Sequence, residues 1–272
     1  ALKNSIIGIV AMFITMKINF TKLRGFAVPL MVLALVLLIL VVTPLGIEVK
    51  GSSRSFDLGF MRFSPSELAK VALVMFLAKA MDIKLDKISS FTAGVLPFLV
   101  MVVFICGLIM LQPDLGTAFT IAASVFFMLL VAGAQWSHLG AIMLSGLAAV
   151  GAAIAVAPYR MERVVAFLNP WKYASDEGFQ TIQSLYALGS GGLFGMGLGR
   201  SRQKFFYLPE QHTDFIFAIL GEELGFIGCS VVVTLFLLFA WRGYKIAINA
   251  PDNFSRLLAA GLTTIIVFQA IV

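Results

Sequence analysis

Charged residues, cysteine and histidine are all scarce in this chain, and each scarcity narrows the possible functions. Only 12% of the 272 residues are charged, against roughly a quarter in soluble domains, which excludes a soluble globule. Two cysteines and two histidines provide no cluster with the spacing of a zinc site. No Walker loop, dinucleotide fingerprint or Gly-x-Ser-x-Gly elbow occurs. Nucleotide-binding, serine-hydrolase and zinc-dependent functions are therefore disfavoured.

The abundant residues are apolar, and they are arranged in long runs. Hydrophobic residues make up 60% of the chain, and its mean hydropathy is +0.98. Several runs reach the roughly 20 residues that an α-helix needs to cross a bilayer. The sequence therefore predicts an all-α polytopic membrane protein, a single membrane domain over residues 1–272 with about eight membrane helices. The helices are predicted at residues 5–16, 26–47, 66–81, 92–111, 115–134, 139–157, 214–241 and 256–272.

A long polar stretch, residues 158–213, separates the sixth and seventh predicted helices. Phe179, Ile182 and Leu185 recur within it at helical spacing, which predicts an amphipathic helix on the membrane interface at residues 178–188. Lys and Arg in the short loops of the opposite side favour a cytoplasmic position for that side, so the long stretch is predicted to be extracytoplasmic. That outer face is itself basic, in a chain of net charge +6. An anionic lipid ligand, such as a lipid diphosphate, explains this charge better than nucleic acid.

Residues 189–204 are rich in glycine and end in three cations, Arg200, Arg202 and Lys204. The backbone amides and the cations could hold phosphate groups. Alternatively, the stretch is a flexible turn whose cations meet lipid headgroups. The spacing alone leaves both interpretations open.

Two aspartates stand directly before apolar runs. Asp214 could be a general base that takes a proton from a sugar hydroxyl, or the N-cap of the following helix, and one side chain can do both. For Asp114, after Pro113 in a short turn, a helix cap is the default interpretation. His212 is close enough to Asp214 in sequence to support it.

Several polar residues fall inside or beside the predicted membrane helices. Glu67 and Lys70 are spaced i, i+3, so they can form a structural pair or line a substrate cavity together. Of Glu222 and Glu223, at least one should face the protein interior and find a partner. Gln112 is polar, and its spacing assigns it no role.

These motifs resemble the SEDS family (shape, elongation, division and sporulation), of the RodA, FtsW and SpoVE type, closest to the division and sporulation branch. The resemblance follows the whole chain in order. It rests on GSSRSFDLG at 51–59, SPSELAK at 64–70, QPDLGT at 112–117, APYR at 157–160, LNPW at 168–171, GFQ at 178–180, QSLYA at 183–187, GLG at 197–199, YLPE at 207–210 and GEELG at 221–225.

The resemblance implies a peptidoglycan polymerase of the bacterial plasma membrane. Such an enzyme joins lipid II units with inversion and releases undecaprenyl diphosphate, beside a class B penicillin-binding protein and other membrane proteins of the divisome or elongasome. It would have about ten membrane helices, the first and the last two lying outside this chain. A lipid II flippase, or a scaffold that recruits a transpeptidase, is the alternative function.

The resemblance also implies the site. Asp214 would be the catalytic base, and a divalent cation could assist, although no cofactor is required by the sequence. The substrate-binding residues would be Arg54, Arg62, Glu67, Lys70, Gln112, Asp114, Arg200, Arg202, Lys204 and His212.

Overall fold

The computed structural model describes residues 2–18, 20–44, 46–49, 52–57, 62–175, 178–201 and 215–272. The chain forms two compact units, each described here by itself. The first consists of Ala1–Met143 with Ala240–Val272, and the second is Leu144–Phe239. A single membrane domain remains a prediction.

The chain is mainly helical, as predicted. The helices are α1 Leu2–Met16, α2 Phe20–Val42, α3 Pro65–Ile83, α4 Leu96–Met110, α5 Leu115–Ala132, α6 Trp136–Val156, α7 Pro158–Leu168, α8 Gly178–Gly191, α9 Ile216–Ile248 and α10 Asn253–Ile271. Short 3-10 turns lie at Leu85–Lys87 and Pro170–Tyr173, and a π-helical turn at Phe91–Val95 leads into α4.

Six helices of the described chain are long and apolar enough to cross a bilayer, which confirms a multi-pass membrane protein. They are Lys22–Val42, Phe91–Met110, Leu115–Ala132, Trp136–Val156, Ile216–Ile248 and Asn253–Ile271. Two further predicted segments also form helices: the short apolar α1, and α3, which carries four charged residues. The total of eight spans remains a prediction.

In the first unit, α3 lies at the centre and packs against α2, α5 and α10. Small residues allow this close packing: Ala69 and Ala72 of α3 are completely buried. Gly261 of α10 faces Val74 of α3 and Met128 of α5, where an added Cβ would lie 2.6 Å from Val74 Cγ1 and 2.8 Å from Met128 Sδ. Since neighbouring helices surround α3, it can carry charged residues that a lipid-facing helix could not.

A small antiparallel sheet in the first unit was not predicted. Its strands are β1 Ile47–Val49, β2 Ser52–Asp57 and β3 Arg62–Phe63, in the order β1-β2-β3. Asp57 is paired in register with Arg62. The strands are too short and polar for the alternation of apolar residues that would have revealed them. The sheet contacts the start of α3 through β2.

The second unit holds the long polar stretch. Helix α8 confirms the helix predicted at 178–188, whereas α7 was not predicted. Arg160 of α7 donates a hydrogen bond from Nη1 to the carbonyl oxygen of Ala153 in the last turn of α6, at 2.9 Å. Because a helix leaves its last carbonyls without partners, this bond both caps α6 and fixes the direction of α7. The rings of Trp171 and Tyr186, 6.5 Å apart, join the following 3-10 turn to α8.

Candidate functional site

At one end of the first unit, α3 and α5 begin and α10 ends. An added Cβ on Gly116, near the start of α5, would lie 3.5 Å from Cγ1 of Val272, the last residue. Several predicted site residues meet there with residues that were not predicted. We call this group the polar end cluster; it comprises Arg54, Ser64, Ser66, Glu67, Lys70, Gln112, Asp114 and Gln269.

Arg54 of β2 holds the turn between α4 and α5. Its Nε donates to the carbonyl oxygen of Gln112 at 2.8 Å, and its Nη2 donates to that of Pro113 at 2.7 Å. Ser64 in turn donates to the carbonyl oxygen of Arg54 at 3.1 Å and lies 3.0 Å from the hydroxyl of Ser66. The sequence predicted a phosphate-binding arginine. The structure gives the side chain a structural contact as well, joining the sheet to the start of α3 and α5.

Asp114 is the N-cap of α5, as its position predicted. Its Oδ1 accepts a hydrogen bond from the backbone N–H of Thr117 at 3.0 Å, and its Oδ2 accepts one from the Thr117 hydroxyl at 2.9 Å. Both carboxylate oxygens therefore have a partner within the helix, which stabilises its first turn. A contact with substrate remains a prediction.

Glu67 and Lys70 form the predicted ion pair, with Lys70 Nζ 2.9 Å from Glu67 Oε1. The same ammonium donates to Oε1 of Gln269 in α10 at 2.9 Å. Lys70 is buried, with 3% of its side chain exposed, whereas 55% of the Glu67 side chain is exposed. A buried ammonium thus has one charged and one neutral acceptor. Gln269 was missed; the only available signal was an amide side chain near the end of an apolar helix.

The other two predicted binding residues of this unit differ in exposure. Gln112 is buried, with 2% of its surface exposed, and its carbonyl belongs to the cluster through Arg54. Arg62 is exposed on β3, where it is paired in register with Asp57 of β2.

In the second unit, α9 is broken at Gly225. This residue has φ 68° and ψ −167°, a conformation open essentially to glycine alone. Breaking a helix frees backbone groups on both sides, and at membrane depth each of them needs a partner. The sequence predicted one continuous helix over residues 214–241, so the break was not predicted.

The glycine-rich stretch supplies those partners. The carbonyl oxygens of Glu222 and Glu223, before the break, accept hydrogen bonds from the amides of Met196 and Gly197 at 2.9 and 3.0 Å. After the break, the amides of Phe226 and Ile227 donate to the carbonyl oxygens of residues 192 and 193 at 2.8 and 3.2 Å. We call this reciprocal set of bonds, between residues 192–197 and 222–227, the clasp.

The clasp shows what part of the glycine-rich stretch does in the structure. The amides of Met196 and Gly197 already donate to α9, and that of Gly195 donates to the carbonyl oxygen of Gly191 at 2.8 Å. These three amides are therefore not available to phosphate, and residues 192–197 are held in place by the clasp. A contact of the cations with phosphate or lipid remains a prediction. Glycine is needed because the backbones touch: an added Cβ at Gly195 would overlap the carbonyl oxygen of Glu223.

Glu222 is the interior glutamate that the sequence required. It is 1% exposed, and its Oε2 accepts a hydrogen bond from the hydroxyl of Ser201 at 2.5 Å. Ser201 is completely buried, although its neighbour Arg200 is exposed. The amide of Arg200 donates to the carbonyl oxygen of Gly197 at 3.1 Å.

Four predicted residues, Arg202, Lys204, His212 and Asp214, lie outside the described residues, in segment 202–214. The segment is bounded by Ser201 and by Phe215, whose carbonyl oxygen accepts the first backbone hydrogen bonds of α9. Among the described residues, no group of three or more His, Cys, Asp or Glu side chains is placed to hold a metal ion.

Comparison with known proteins gives a consistent result. A family model described as cell cycle protein, covering FtsW, RodA and SpoVE, matches residues 2–272. Stage V sporulation protein E of Bacillus subtilis (strain 168) is 45% identical over 267 residues, covering 98% of this chain and 73% of that protein. A probable peptidoglycan glycosyltransferase FtsW of Trichlorobacter lovleyi is 43% identical over 272 residues, covering 98% and 71%.

Two solved structures share the fold. A chain from a peptidoglycan synthase complex that coordinates polymerization and crosslinking superposes with a TM-score of 0.78 at 30% identity, covering 97% of this chain and 74% of that chain. The rod shape determining protein RodA of Thermus thermophilus gives a TM-score of 0.66 at 29% identity, covering 97% and 70%. The chain belongs to the FtsW, RodA and SpoVE family of multi-pass membrane proteins.

Proposed function

We propose that this protein is a peptidoglycan glycosyltransferase that polymerises lipid II. The observation that carries the proposal is the alignment of 98% of the chain, at 43% identity, with a probable peptidoglycan glycosyltransferase FtsW. The similar fold of a chain from a peptidoglycan synthase complex supports it.

The reaction forms one glycosidic bond and breaks one bond to phosphate. The 4-hydroxyl oxygen of the acceptor attacks the anomeric carbon of the donor from the side opposite the diphosphate, so the configuration inverts. The hydroxyl proton passes to the carboxylate of Asp214. The bonding pair leaves with the oxygen of undecaprenyl diphosphate, and cations stabilise the charge that grows there.

The predicted cations differ in how they can serve this leaving group. Glu67 already compensates the charge of Lys70, so Lys70 is suited to hold α3 and α10 at the substrate rather than to supply net charge. Arg62 and Arg200 are exposed, which suits a direct contact with phosphate. Arg202 and Lys204, in segment 202–214, complete the proposed set.

The polar end cluster supports a substrate site at this end of the first unit. Arg54, Gln112 and Asp114 are held there by mutual or local hydrogen bonds, and Lys70 by Glu67 and Gln269. Fixed polar groups next to apolar helices match a ligand with a charged head and a lipid tail. We assign Glu67, Gln112, Asp114 and His212 to binding or orientation of lipid II.

The side of the membrane and the partner follow from the same proposal. Lys and Arg in the short loops of the opposite side favour a cytoplasmic position for that side, so we place residues 158–213 on the extracytoplasmic side of the plasma membrane. The structural neighbour in a peptidoglycan synthase complex supports a transpeptidase partner, which we propose to be a class B penicillin-binding protein acting with divisome or elongasome proteins.

The alternative function is a transporter, namely a lipid II flippase. Broken membrane helices like α9 are typical of transporters. The break in α9 differs from such a substrate site, because its freed carbonyls and amides are bonded to residues 192–197. The break therefore gives no support to a flippase.

The test uses the full-length protein with its transpeptidase partner and purified lipid II. Asp214→Asn should lower the rate of glycan polymerisation by about 10²- to 10⁴-fold, the usual contribution of a general base. Asp252→Asn is the matched control. Asp252 caps α10 by accepting a hydrogen bond from Ser255 N at 3.2 Å, and asparagine caps equally well.

Equal polymerisation by Asp214→Asn and wild type would contradict the role of Asp214. Movement of lipid II across sealed vesicles without any glycan product would contradict the enzyme itself and favour the flippase.

A further inference from the structure

Two cations lie against one tryptophan ring near the end of α9. The Nζ atom of Lys245 is 5.1 Å from the ring centroid of Trp241, and the Cζ atom of Arg242 is 5.7 Å from it. Both distances are within the roughly 6 Å of a cation–π contact. All three side chains are exposed, that of Trp241 to 57%. An exposed ring therefore brings two positive charges together at one place on the surface.

The opposite face of this part of α9 packs against α10. An added Cβ at Gly243 would overlap the side chain of Thr263 in α10, and Ala247, one turn after Gly243, is 2% exposed. In a helix, residues two positions apart lie on nearly opposite sides, and residues four apart share one side. Trp241 and Lys245 therefore lie on the side of α9 that faces away from α10.

The position of the three residues along α9 corresponds to the head-group level of a bilayer. Residues 224–240 contain no charged side chain, and Arg242 is the first cation after them. Tryptophan next to the first cations of an apolar helix is typical of the membrane interface. The end of α9 leads into the start of α10, whereas the polar end cluster lies where α10 ends. The three residues are therefore at the other end of the first unit, on the side assigned above to the cytoplasm.

The two charges are not compensated within the described part of the chain. Neither Arg242 nor Lys245 forms an ion pair there, in contrast to Arg24, which lies 2.8 Å from Asp82. The next carboxylate in the sequence is Asp252, and it accepts hydrogen bonds from Ser255 at the start of α10. Two cations held side by side without an acid between them suit an anionic ligand.

We propose that Trp241, Arg242 and Lys245 form a binding site for the head group of an anionic phospholipid. The guanidinium and the ammonium donate to the phosphate oxygens, while the ring restricts both side chains and so reduces the freedom that they lose on binding. The acyl chains lie in the bilayer beside the apolar part of α9. A zwitterionic head group carries its own cation, which the two side chains repel, so the site selects anionic lipid.

The test maps lipid contacts directly, in the full-length protein in phosphatidylcholine nanodiscs. A small fraction of the lipid carries a photoactivatable diazirine, on phosphatidylglycerol in one sample and on phosphatidylcholine with the same acyl chains in the other. Mass spectrometry then measures labelling of the peptide that contains residues 240–248. The ratio of the two labelling yields cancels differences in side-chain reactivity. In the wild type it should be at least about fivefold in favour of phosphatidylglycerol, the effect of one cation near an anionic lipid surface.

Arg242→Gln and Lys245→Gln should each lower this ratio by about fivefold, whereas Arg242→Lys and Lys245→Arg keep the charge and should retain most of it. Lys87→Gln is the matched control. Lys87 is an exposed cation in the 3-10 turn that follows α3, at the same end of the first unit, and it lies outside the proposed site. This variant should leave the ratio close to that of wild type.

Trp241→Leu removes the ring and keeps both cations, and it should lower the ratio by about two- to threefold. In the Arg242→Gln/Lys245→Gln background the same change should have no further effect, because the ring acts through the cations. A further loss in that background would overturn the role given to the ring.

Three other results would overturn the proposal. Equal labelling of the wild type by the two probes would exclude selection of anionic lipid. An equal loss in Lys87→Gln and Lys245→Gln would show a diffuse attraction of the whole basic surface. Displacement by soluble glycerol phosphate as effective as that by unlabelled phosphatidylglycerol would identify a free phosphate ester as the ligand. No step uses lipid II, so the result is independent of the proposed function.

Discussion

Gln269 Oε1 accepts a hydrogen bond from Lys70 Nζ at 2.9 Å, across 199 positions of sequence. It is the side-chain bond by which α10 reaches the buried charge of α3. Because Lys70 is almost completely buried, the loss of this acceptor cannot be replaced by water without opening the helix packing.

Gln269→Leu should therefore lower the free energy of unfolding by about 1–3 kcal/mol, the cost of leaving a buried donor without its acceptor. Thermal unfolding of the purified full-length protein in detergent measures this. Gln135→Leu, at an exposed position between α5 and α6, is the control and should change stability by less than about 0.5 kcal/mol. Equal effects of the two variants would contradict the importance of the bond to Lys70.

Arg54→Lys should also destabilise the fold, although charge is kept. The guanidinium reaches two successive carbonyl oxygens, those of Gln112 and Pro113, and an ammonium cannot reproduce this forked geometry. The expected loss is about 1–2 kcal/mol in the same unfolding measurement. Arg163→Lys, exposed on α7, is the matched change and should have little effect. A similar loss for both would show that the bonds of Arg54 contribute nothing special.

Two variants of Asp114 separate its structural role from its proposed binding role. Asp114→Ala removes the cap of α5 and should cost about 0.5–2 kcal/mol of stability, whereas Asp114→Asn keeps an N-cap acceptor and should cost little. If Asp114 also contacts lipid II, Asp114→Asn should lower polymerisation while the unfolding temperature stays near that of wild type. Full activity in Asp114→Asn would restrict the residue to capping.

Gly225→Ala should destabilise the protein at the break in α9. The residue has positive φ, and an added Cβ would overlap the amide of Gly195 and approach the Leu193 carbonyl oxygen at 2.6 Å. Strain of this type costs about 1–3 kcal/mol before any overlap is counted. Thermal unfolding and the yield of folded protein measure the effect.

Gly189→Ala is the control for that change, because Gly189 lies in α8 with nothing within 4 Å of an added Cβ. Alanine should stabilise the helix there by about 0.5–1 kcal/mol. Opposite signs for the two substitutions are expected, and a neutral Gly225→Ala would mean that α9 can continue as an ordinary helix.

Local patterns were readable from the sequence, and distant pairings were not. The i, i+3 spacing of Glu67 and Lys70 and the position of Asp114 before an apolar run predicted the ion pair and the helix cap that the structure contains. The bond from Arg54 to Gln112 spans 58 positions, and no local signal announces it. Whether these residues bind substrate is a separate prediction.

The break in α9 is a second feature that the sequence did not predict. Gly225 stands in an apolar run that reads as one membrane helix, and glycine alone does not stop such a helix in a sequence pattern. The break depends on Gly195, which lies far from Gly225 in sequence. The backbones of the two glycines come so close that neither has room for a Cβ. The density of glycine at 189–199 is visible in the sequence. The sequence does not show that Gly191 and Gly195 lie against the backbone of α9.

Because the clasp bonds residues 192–197 to both sides of the break, the break in α9 depends on a stretch of chain outside the helix. An inserted residue between 193 and 196 would prevent the two bonds at each end of this stretch from forming together. Tags and reporter domains should therefore be inserted in another loop. The exposed turn around Asn249 and Pro251, between α9 and α10, has no such register to lose.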